Sequence, residues 1–211
     1  MTLVSGRKKR PVERGNGTLR DTRLIVIATE GAKTEKQYFE GISRHRYRIR
    51  RVQVRVEATA DAKSAPEYAL ARLDAYCDEF QIGEDDELWL MVDVDRWGAK
   101  KLAAVAQKAL QKGYHLAISN PCFELWLLLH FEEPSVALKT CAALTKRLKE
   151  RLPGYRKSNL GTDAFTMEAI RNAVRRAGSV GNDEQARWPK TRGTQVYKVV
   201  EELLKERRDG F

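Results

Sequence analysis

Carboxylates follow two apolar runs of this chain at the point where each run ends. Glu30 comes after the run 24–28, and Asp93 and Asp95 follow the run 88–92. In a parallel sheet ligands bind at the carboxyl ends of the strands, so we expect these three side chains to converge at one edge. Two aspartates at alternate positions point to the same side of a strand and repel each other unless a cation joins them. Because Mg²⁺ prefers carboxylate oxygens, the pattern indicates a magnesium site.

Two further glutamates are candidates for the same site. Glu124 lies in the first turn of a predicted apolar helix, and Glu35 comes five residues after Glu30. Each acid also has a plain structural interpretation. Glu30 fits a solvated strand end, Asp93 and Asp95 fit the start of a capped loop, and the other two glutamates fit the favourable N-terminus of a helix. The residue types alone leave both interpretations open.

Hydrophobic periodicity places these acids on alternating strands and helices. The predicted strands cover residues 24–28, 52–56, 87–93 and 115–118. The predicted helices cover residues 34–42, 64–80, 99–112, 122–131, 135–152, 166–177 and 194–208. Asn120 is the expected N-cap of the fourth helix, with Pro121 at its first position. This order predicts an α/β fold, with a mostly parallel sheet, helices on both faces and additional C-terminal helices.

The length and composition of the chain narrow its class. A chain of 211 residues accommodates one α/β core, and its formal net charge of +10 favours a polyanionic partner. We expect a basic flexible arm over residues 1–22, the core over 23–133, and a helical addition packed on it over 134–211. The three cysteines, which lack metal-ligand spacing, predict neither a disulfide framework nor a zinc site. No apolar run has the length of a membrane span or a signal peptide, so we expect a cytoplasmic protein without a membrane partner.

The densest run of positive charge lies between residues 44 and 51. It contains one tyrosine and five arginines, which are Arg44, Arg46, Arg48, Arg50 and Arg51. Such a run can bind backbone phosphates and stack on a base, although charged runs are also common on solvated surfaces. Weaker candidates for nucleic-acid contact are Lys33, Lys157 and the segment 187–192.

Four other residues with functional side chains are expected to be structural. His130 lies in the apolar segment 122–131, where a histidine with satisfied hydrogen bonds is a better explanation than a metal ligand. Trp89, Trp97 and Trp126 are expected in the hydrophobic core.

Several of these motifs resemble a known domain. The segment 29–35, Thr-Glu-Gly-Ala-Lys-Thr-Glu, and the segment 92–95, Val-Asp-Val-Asp, resemble the glutamate and the Asp-x-Asp of a TOPRIM domain. That domain is the catalytic core of topoisomerases, bacterial primases and the overcoming-lysogenization-defect nucleases. The more specific segment 119–131, which contains Asn-Pro-x-Phe-Glu-x-Trp, is similar to the RloB family. These are TOPRIM-like proteins of bacterial defence islands, often found beside an AAA-type ATPase, and the resemblance covers about residues 22–205.

The resemblance implies a metal-dependent nuclease that acts in defence against phage, with an AAA-type ATPase partner. Glu30 carries over as the acid/base glutamate, and Asp93 and Asp95 as ligands of Mg²⁺ or Mn²⁺. We add Glu35 to the catalytic carboxylates, and Glu124 to both the catalytic residues and the metal ligands. TOPRIM patterns often contain a third aspartate, whereas here Arg96 and Trp97 follow the second. The expected reaction is phosphodiester hydrolysis of DNA or RNA.

Two other classes of protein remain compatible with the sequence. A phosphoacceptor receiver domain also gathers strand-end carboxylates around Mg²⁺, but it needs a lone aspartate on its central strand and is usually less basic. A non-catalytic nucleic-acid-binding or adaptor protein could retain a TOPRIM-like fold. The chain has no Walker-type glycine loop, so nucleotide hydrolysis is expected only from a partner.

Overall fold

The computed structural model describes residues 8–12, 23–46, 52–59, 65–94, 97–180 and 186–205, with the backbone alone described for 44–46. The strands are β1 (Arg10–Pro11), β2 (Arg23–Thr29), β3 (Val52–Glu57), β4 (Phe80–Gln81), β5 (Glu87–Asp93), β6 (His115–Asn120) and β7 (Gly193–Thr194). The α-helices are α1 (Thr34–Glu40), α2 (Pro66–Glu79), α3 (Ala99–Gln111), α4 (Glu124–Leu129), α5 (Cys141–Arg151), α6 (Met167–Ser179) and α7 (Val196–Lys205). A π-helical segment, Gly41–Arg46, continues α1, and a 3-10 turn covers Thr162–Ala164.

Among the described residues, five strands form the main sheet in the order β3-β2-β5-β6-β7. The pairs β2–β3, β2–β5 and β5–β6 are parallel, and only the short β7 runs antiparallel to its neighbour β6. The predicted mostly parallel sheet is therefore confirmed. Because β2 and β5 are central strands, their carboxyl ends are adjacent at one edge, with Thr29 in register with Met91.

Helices cover both faces of this sheet, as the sequence predicted. Alternate residues of β2 point to opposite faces, because successive side chains of a strand alternate. Leu24 and Val26 pack with α2 and α3, whereas Ile25 and Ile27 pack with α1, α4 and the C-terminal helices. The C-terminal helices α5, α6 and α7 thus bury their apolar residues in the same core as one face of the sheet.

The turn between β6 and α4 differs from the predicted one. Asn120 is the last residue of β6 instead of a helix N-cap, and its side-chain amide donates a hydrogen bond to the carbonyl of Pro189 at 3.0 Å. The Asn120–Pro121 peptide bond is cis, and α4 begins only at Glu124. The predicted helix 122–131 is therefore too long at both ends. Its later start has a physical reason, since the Asn120 amide binds a distant segment instead of the first helical turn.

The segment after α4 also corrects the sequence prediction. In place of one helix over 135–152, α5 begins at Cys141, because the Thr140 side chain accepts a hydrogen bond from the backbone N–H of Ala143 and caps it there. Cys122 and Cys141 form a disulfide, a single bond that the expectation of no disulfide framework did not include. Spacing along the chain could not reveal this pair, since packing of α4 against α5 brings the two residues together.

The termini add two smaller observations. Of the expected basic arm over 1–22, only residues 8–12 are described; there Arg10 and Pro11 pair in parallel with Phe80 and Gln81, and Arg10 contacts Glu79. The last helix was predicted over 194–208, whereas α7 covers Val196–Lys205 and residues 206–211 lie outside the described part. None of the described helices is both long and apolar enough to span a membrane.

Candidate active site

Glu30 and Asp93 lie side by side at the carboxyl edge of the sheet. The backbone N–H of Glu30 donates to the carbonyl of Met91, which continues the β2–β5 ladder by one residue. In return, Oε2 of Glu30 accepts a hydrogen bond of 3.4 Å from the backbone N–H of Asp93. The two acids that end neighbouring strands are thus directly connected.

Trp97 fixes the orientation of the Glu30 carboxylate. Its indole N–H donates to Oε2 of Glu30 at 2.9 Å, and its ring lies under the ammonium of Lys101 at 4.4 Å. Trp97 is partly exposed, so the prediction that it belongs to the core is wrong. The reason is its place in the loop that follows β5, which returns to the edge of the sheet instead of crossing a face.

Glu35 is buried against the backbone of Gly31. A Cβ atom at position 31 would lie only 2.6 Å from the carboxyl carbon of Glu35, so a larger residue there would displace this carboxyl group. Burial raises the pKa of Glu35 to about 7, and the negative charges of Glu124 and Glu30 raise it further, against the opposing effect of its own backbone N–H.

Asp93 is in the same electrostatic environment. Burial raises the pKa of Asp93 well above its usual range, and the charges of Glu35, Glu124 and Glu30 act in the same direction. A hydrogen bond from the backbone of Phe123 partly opposes these effects. Four carboxylates are therefore close enough to repel one another, and we call Glu30, Glu35, Asp93 and Glu124 the acid cluster.

Glu124 enters the acid cluster from the first residue of α4. It is 3% exposed, and its Oε1 accepts a hydrogen bond of 3.3 Å from the hydroxyl of Tyr155. The ammonium of Lys157 lies 2.8 Å from the same oxygen. Burial, followed by the charge of Glu124, raises the pKa of the Tyr155 phenol, so this hydroxyl stays protonated and donates.

The loop 155–160 holds Tyr155 and Lys157 next to the acid cluster. The hydroxyl of Thr34 donates to the carbonyl of Lys157 at 2.7 Å. The Gln37 side chain donates to the carbonyl of Ser158 at 3.0 Å and accepts from the backbone N–H of Leu160 at 2.7 Å. The loop is thereby fastened to α1, the helix that carries Glu35.

A comparison with protein families assigns this arrangement to a known group. A family model described as RloB-like protein matches residues 25–203, from β2 to α7. The chain belongs to the RloB-like family. No curated protein and no solved structure matches it. The match confirms the resemblance to this family seen in the segment 119–131. The same segment contains Glu124 and the disulfide-bonded Cys122.

The RloB-like chain brings together some of the predicted site residues and not others. Glu30, Glu35, Asp93, Glu124 and Lys157 meet at one edge of the sheet. Lys33 is exposed at the N-cap of α1. Arg44 and Arg46 lie in the π-helical segment with only their backbone described, and Asp95, Arg48, Arg50 and Arg51 lie outside the described residues.

The sequence did not predict the contacts of three residues at the carboxyl edge of the sheet. Trp97 follows the Asp-x-Asp motif closely, and this position is the signal that could have indicated a contact with Glu30. Gly31 was noted beside Glu30, but its role for Glu35 depends on packing. Tyr155 lies 31 residues after Glu124, and no local pattern marks it as a partner.

The acid cluster supplies the oxygen ligands that Mg²⁺ and Mn²⁺ prefer. Within the described ranges, which leave out Asp95, no three histidine, cysteine, aspartate or glutamate side chains already surround a common point as metal ligands would. The fit to a divalent cation thus lies in the oxygen chemistry of the donors and not in their present arrangement.

His130 is a structural histidine, as predicted. Its Nδ1 lies 3.0 Å from the carbonyl of Trp126, which can only accept, so Nδ1 carries the proton and Nε2 accepts from the hydroxyl of Tyr38 at 3.0 Å. Burial lowers the pKa of His130 to about 3. Trp126 and Trp89 are buried in the core, which confirms their predicted role.

Proposed function

We propose that this protein is a divalent-metal-dependent nuclease that hydrolyses phosphodiester bonds of DNA or RNA. The observation that carries the proposal is the acid cluster, in which four carboxylates from three separate segments meet beside Lys157. Carboxylates that repel each other in a buried place favour a bound cation, because the cation removes the repulsion. The TOPRIM resemblance assigns metal-dependent chemistry to the same glutamate and Asp-x-Asp.

Glu30, Asp93, Asp95 and Glu124 are the residues that would hold Mg²⁺ or Mn²⁺. When bound, the metal ion would lower the pKa of a water molecule and neutralise charge on the scissile phosphate. Glu30 is the candidate acceptor for the proton of the attacking water. Its carboxylate is oriented by the indole of Trp97 and the backbone N–H of Asp93, and such orientation is what general base catalysis requires.

The charge of the chain supports a nucleic acid as substrate. The formal net charge of +10 raises the local concentration of a polyanion, although the acid cluster itself is negative. The arginines of 44–51 and the lysines Lys33 and Lys157 are the proposed phosphate contacts. The arginine run follows α1 directly, and α1 carries Glu35 at its other end. Nucleic acid bound there would lie on an element that also contributes to the acid cluster.

We place the nuclease in bacterial defence against phage, with an AAA-type ATPase as partner, on the strength of the family resemblance. This sequence contains no Walker-type loop, so we assign ATP hydrolysis to the partner. A cytoplasmic location follows from this role. Coexpression with an ATPase encoded beside it, followed by measurement of ATP-stimulated cleavage, tests the partnership.

The decisive experiment combines calorimetry with a cleavage assay. We expect Mn²⁺ or Mg²⁺ to bind the wild type, and the double variant Asp93→Asn, Asp95→Asn to lose this binding while circular dichroism shows an intact fold. Glu124→Gln should abolish cleavage of DNA and RNA substrates in the presence of either ion. Glu168→Gln, which removes an exposed acid of α6, is the matched control and should retain both properties. Unchanged metal binding in the double variant would refute the site.

A non-catalytic adaptor is the second candidate function. It is favoured by the ion pair between Lys157 and Glu124 and by the lack, within the described ranges, of three side chains ready to hold a metal. Nucleic-acid affinity that persists in EDTA, with no cleavage in any divalent ion, would support this function over the nuclease. Labelling with acetyl phosphate tests the receiver-domain alternative in the same preparation.

A further inference from the structure

Lys157 occupies a position for which a metal ion would compete. Its Nζ lies 2.8 Å from Oε1 of Glu124, and the side chain of Lys157 is 60% exposed whereas that of Glu124 is 4% exposed. The ammonium therefore reaches from solvent to a buried carboxylate. A buried carboxylate without a counter-charge is strongly unfavourable, so the ion pair neutralises Glu124 within the acid cluster.

The main chain of Lys157 is held independently of its ammonium. The carbonyl of Lys157 accepts the hydroxyl of Thr34, and Gln37 bonds the backbone on the other side of the residue. Tyr155 anchors the start of the loop by its buried ring. Because a lysine side chain is long and flexible, the ammonium can leave Glu124 while the loop stays in place.

The chemistry of Glu124 favours one cation at a time. Both the Tyr155 hydroxyl and the Lys157 ammonium contact Oε1, so a divalent ion bound to this oxygen would meet the ammonium at close range. Like charges at such a distance repel strongly where water is excluded. The exposed position of the Lys157 side chain gives the ammonium a path toward solvent, where a polyanion would approach.

We propose that Lys157 is an exchangeable cation, which neutralises Glu124 in the metal-free protein and moves to a backbone phosphate of the nucleic acid when a divalent ion binds Glu124. This inference rests on the proposed nuclease function and names one of its substrate-binding residues. The exchange would make the binding of metal and of nucleic acid cooperative, because a bound metal ion releases the Lys157 ammonium to contact a phosphate.

Calorimetric titration with Mn²⁺ alone tests the first half of the exchange. Lys157→Gln should bind Mn²⁺ several-fold more tightly than Arg156→Gln, which removes the same charge from the neighbouring exposed residue. In a Glu124→Gln background this difference should vanish. Equal affinity of the two single variants for Mn²⁺ would overturn the exchange. Failure of the wild type to bind Mn²⁺ would instead overturn the proposed function.

Binding of labelled DNA and RNA oligonucleotides tests the second half. In Ca²⁺, used here as a divalent probe, Lys157→Gln should bind the oligonucleotide several-fold more weakly than Arg156→Gln, and Lys157→Arg should restore affinity. In EDTA, Lys157→Gln and Arg156→Gln should bind equally, because Glu124 then holds the ammonium. An equal loss in EDTA and in Ca²⁺ would show a constant surface charge and overturn the exchange.

Discussion

The indole N–H of Trp97 donates a hydrogen bond to Oε2 of Glu30, the same oxygen that accepts the backbone N–H of Asp93. One oxygen of Glu30 thus connects the ends of β2 and β5 with the loop that follows β5. Donors that converge on one carboxylate oxygen fix its direction. The loop after β5 therefore participates in the acid cluster through a residue that is neither acidic nor basic.

Removal of the Trp97 indole should weaken metal binding with little effect on the fold. Trp97→Phe loses one hydrogen bond to a charged group, so the Glu30 carboxylate is less well oriented. We expect the binding free energy of Mn²⁺, measured by calorimetry, to weaken by about 1–3 kcal/mol. Trp89→Phe is the matched control, because its indole N–H donates to Glu87 at 2.8 Å at the opposite end of β5. Equal Mn²⁺ affinities of the two variants would contradict a special role for Trp97.

Substitution of Gly31 should displace Glu35. The Cβ of Gly31→Ala would collide with the Glu35 carboxyl group, which is the end of a flexible side chain and can move. We therefore expect a loss of only about 1 kcal/mol in the free energy of unfolding, measured by urea denaturation. Gly178→Ala meets no atom within 4 Å and should not lose stability. The combined variant Gly31→Ala, Glu35→Ala should recover most of the loss. No recovery would show that the strain lies elsewhere than at Glu35.

Glu35 should make the metal-free protein less stable as the pH rises. Its pKa of about 7 in the fold exceeds the ordinary value of 4.5, so the folded state holds the proton more tightly. Stability from this group is complete below about pH 4.5 and is lost up to about pH 7, by roughly 3 kcal/mol. Glu35→Gln should therefore be more stable than the wild type at pH 8. Urea denaturation across this range in EDTA measures the difference.

Glu132→Gln is the contrasting control for Glu35. Hydrogen bonds from Arg147 and Arg151 lower the pKa of Glu132, so its contribution to stability is present above its unfolded pKa and is lost as the pH falls. The glutamine variant should be less stable than the wild type at pH 8. If both glutamine variants shifted stability in the same direction, the burial effect at Glu35 would be excluded.

Acid should destabilise the protein through His130. Its pKa of about 3 in the fold lies below the ordinary value of 6.5, so the unfolded state binds the proton more tightly between these values. Stability is therefore complete above about pH 6.5 and falls as the pH approaches 3. His130→Phe should show a flatter profile of the free energy of unfolding against pH in this window, measured by urea denaturation. A profile as steep as that of the wild type would contradict the role of His130.

The arginine run should determine the salt dependence of nucleic-acid binding. Replacement of Arg46, Arg48 and Arg50 by glutamine removes three proposed phosphate contacts, so the slope of log affinity against log salt should decrease by about 2–3 for duplex DNA. Fluorescence anisotropy at several salt concentrations measures this slope. The variant Lys100→Gln, Lys108→Gln on exposed positions of α3 is the control. A wild-type slope in the arginine variant would place the nucleic acid elsewhere.

Local pattern predicted the central part of the fold well. The strand 87–93 was predicted with its observed bounds, and β2 extends one residue beyond the predicted run at each end. These strands are continuous aliphatic runs buried on both faces, which is the strongest signal that a parallel sheet leaves in a sequence. The same pattern implied that Glu30 and Asp93 follow neighbouring strands, and β2 does pair with β5. Their catalytic role stays a prediction.

The rest depended on contacts between distant segments. Asn120 looked like a helix cap because local sequence cannot show that its amide binds the carbonyl of Pro189. In the same way, the partner of Cys122 and the approach of Tyr155 to Glu124 follow from how α4, α5 and the loop 155–160 pack. Periodicity describes one element at a time, so it does not contain these relationships.

The attachment of the loop 155–160 to α1 has a consequence for the order of assembly. A ribosome releases Glu30, Asp93 and Glu124 well before Lys157, so the nascent chain can form its central strands while the counter-charge of Glu124 is still inside the exit tunnel. Glu124 acquires its counter-charge only after the loop 155–160 has emerged and docked on Thr34 and Gln37. Formation of the central sheet and charge compensation of Glu124 are therefore separate steps during synthesis.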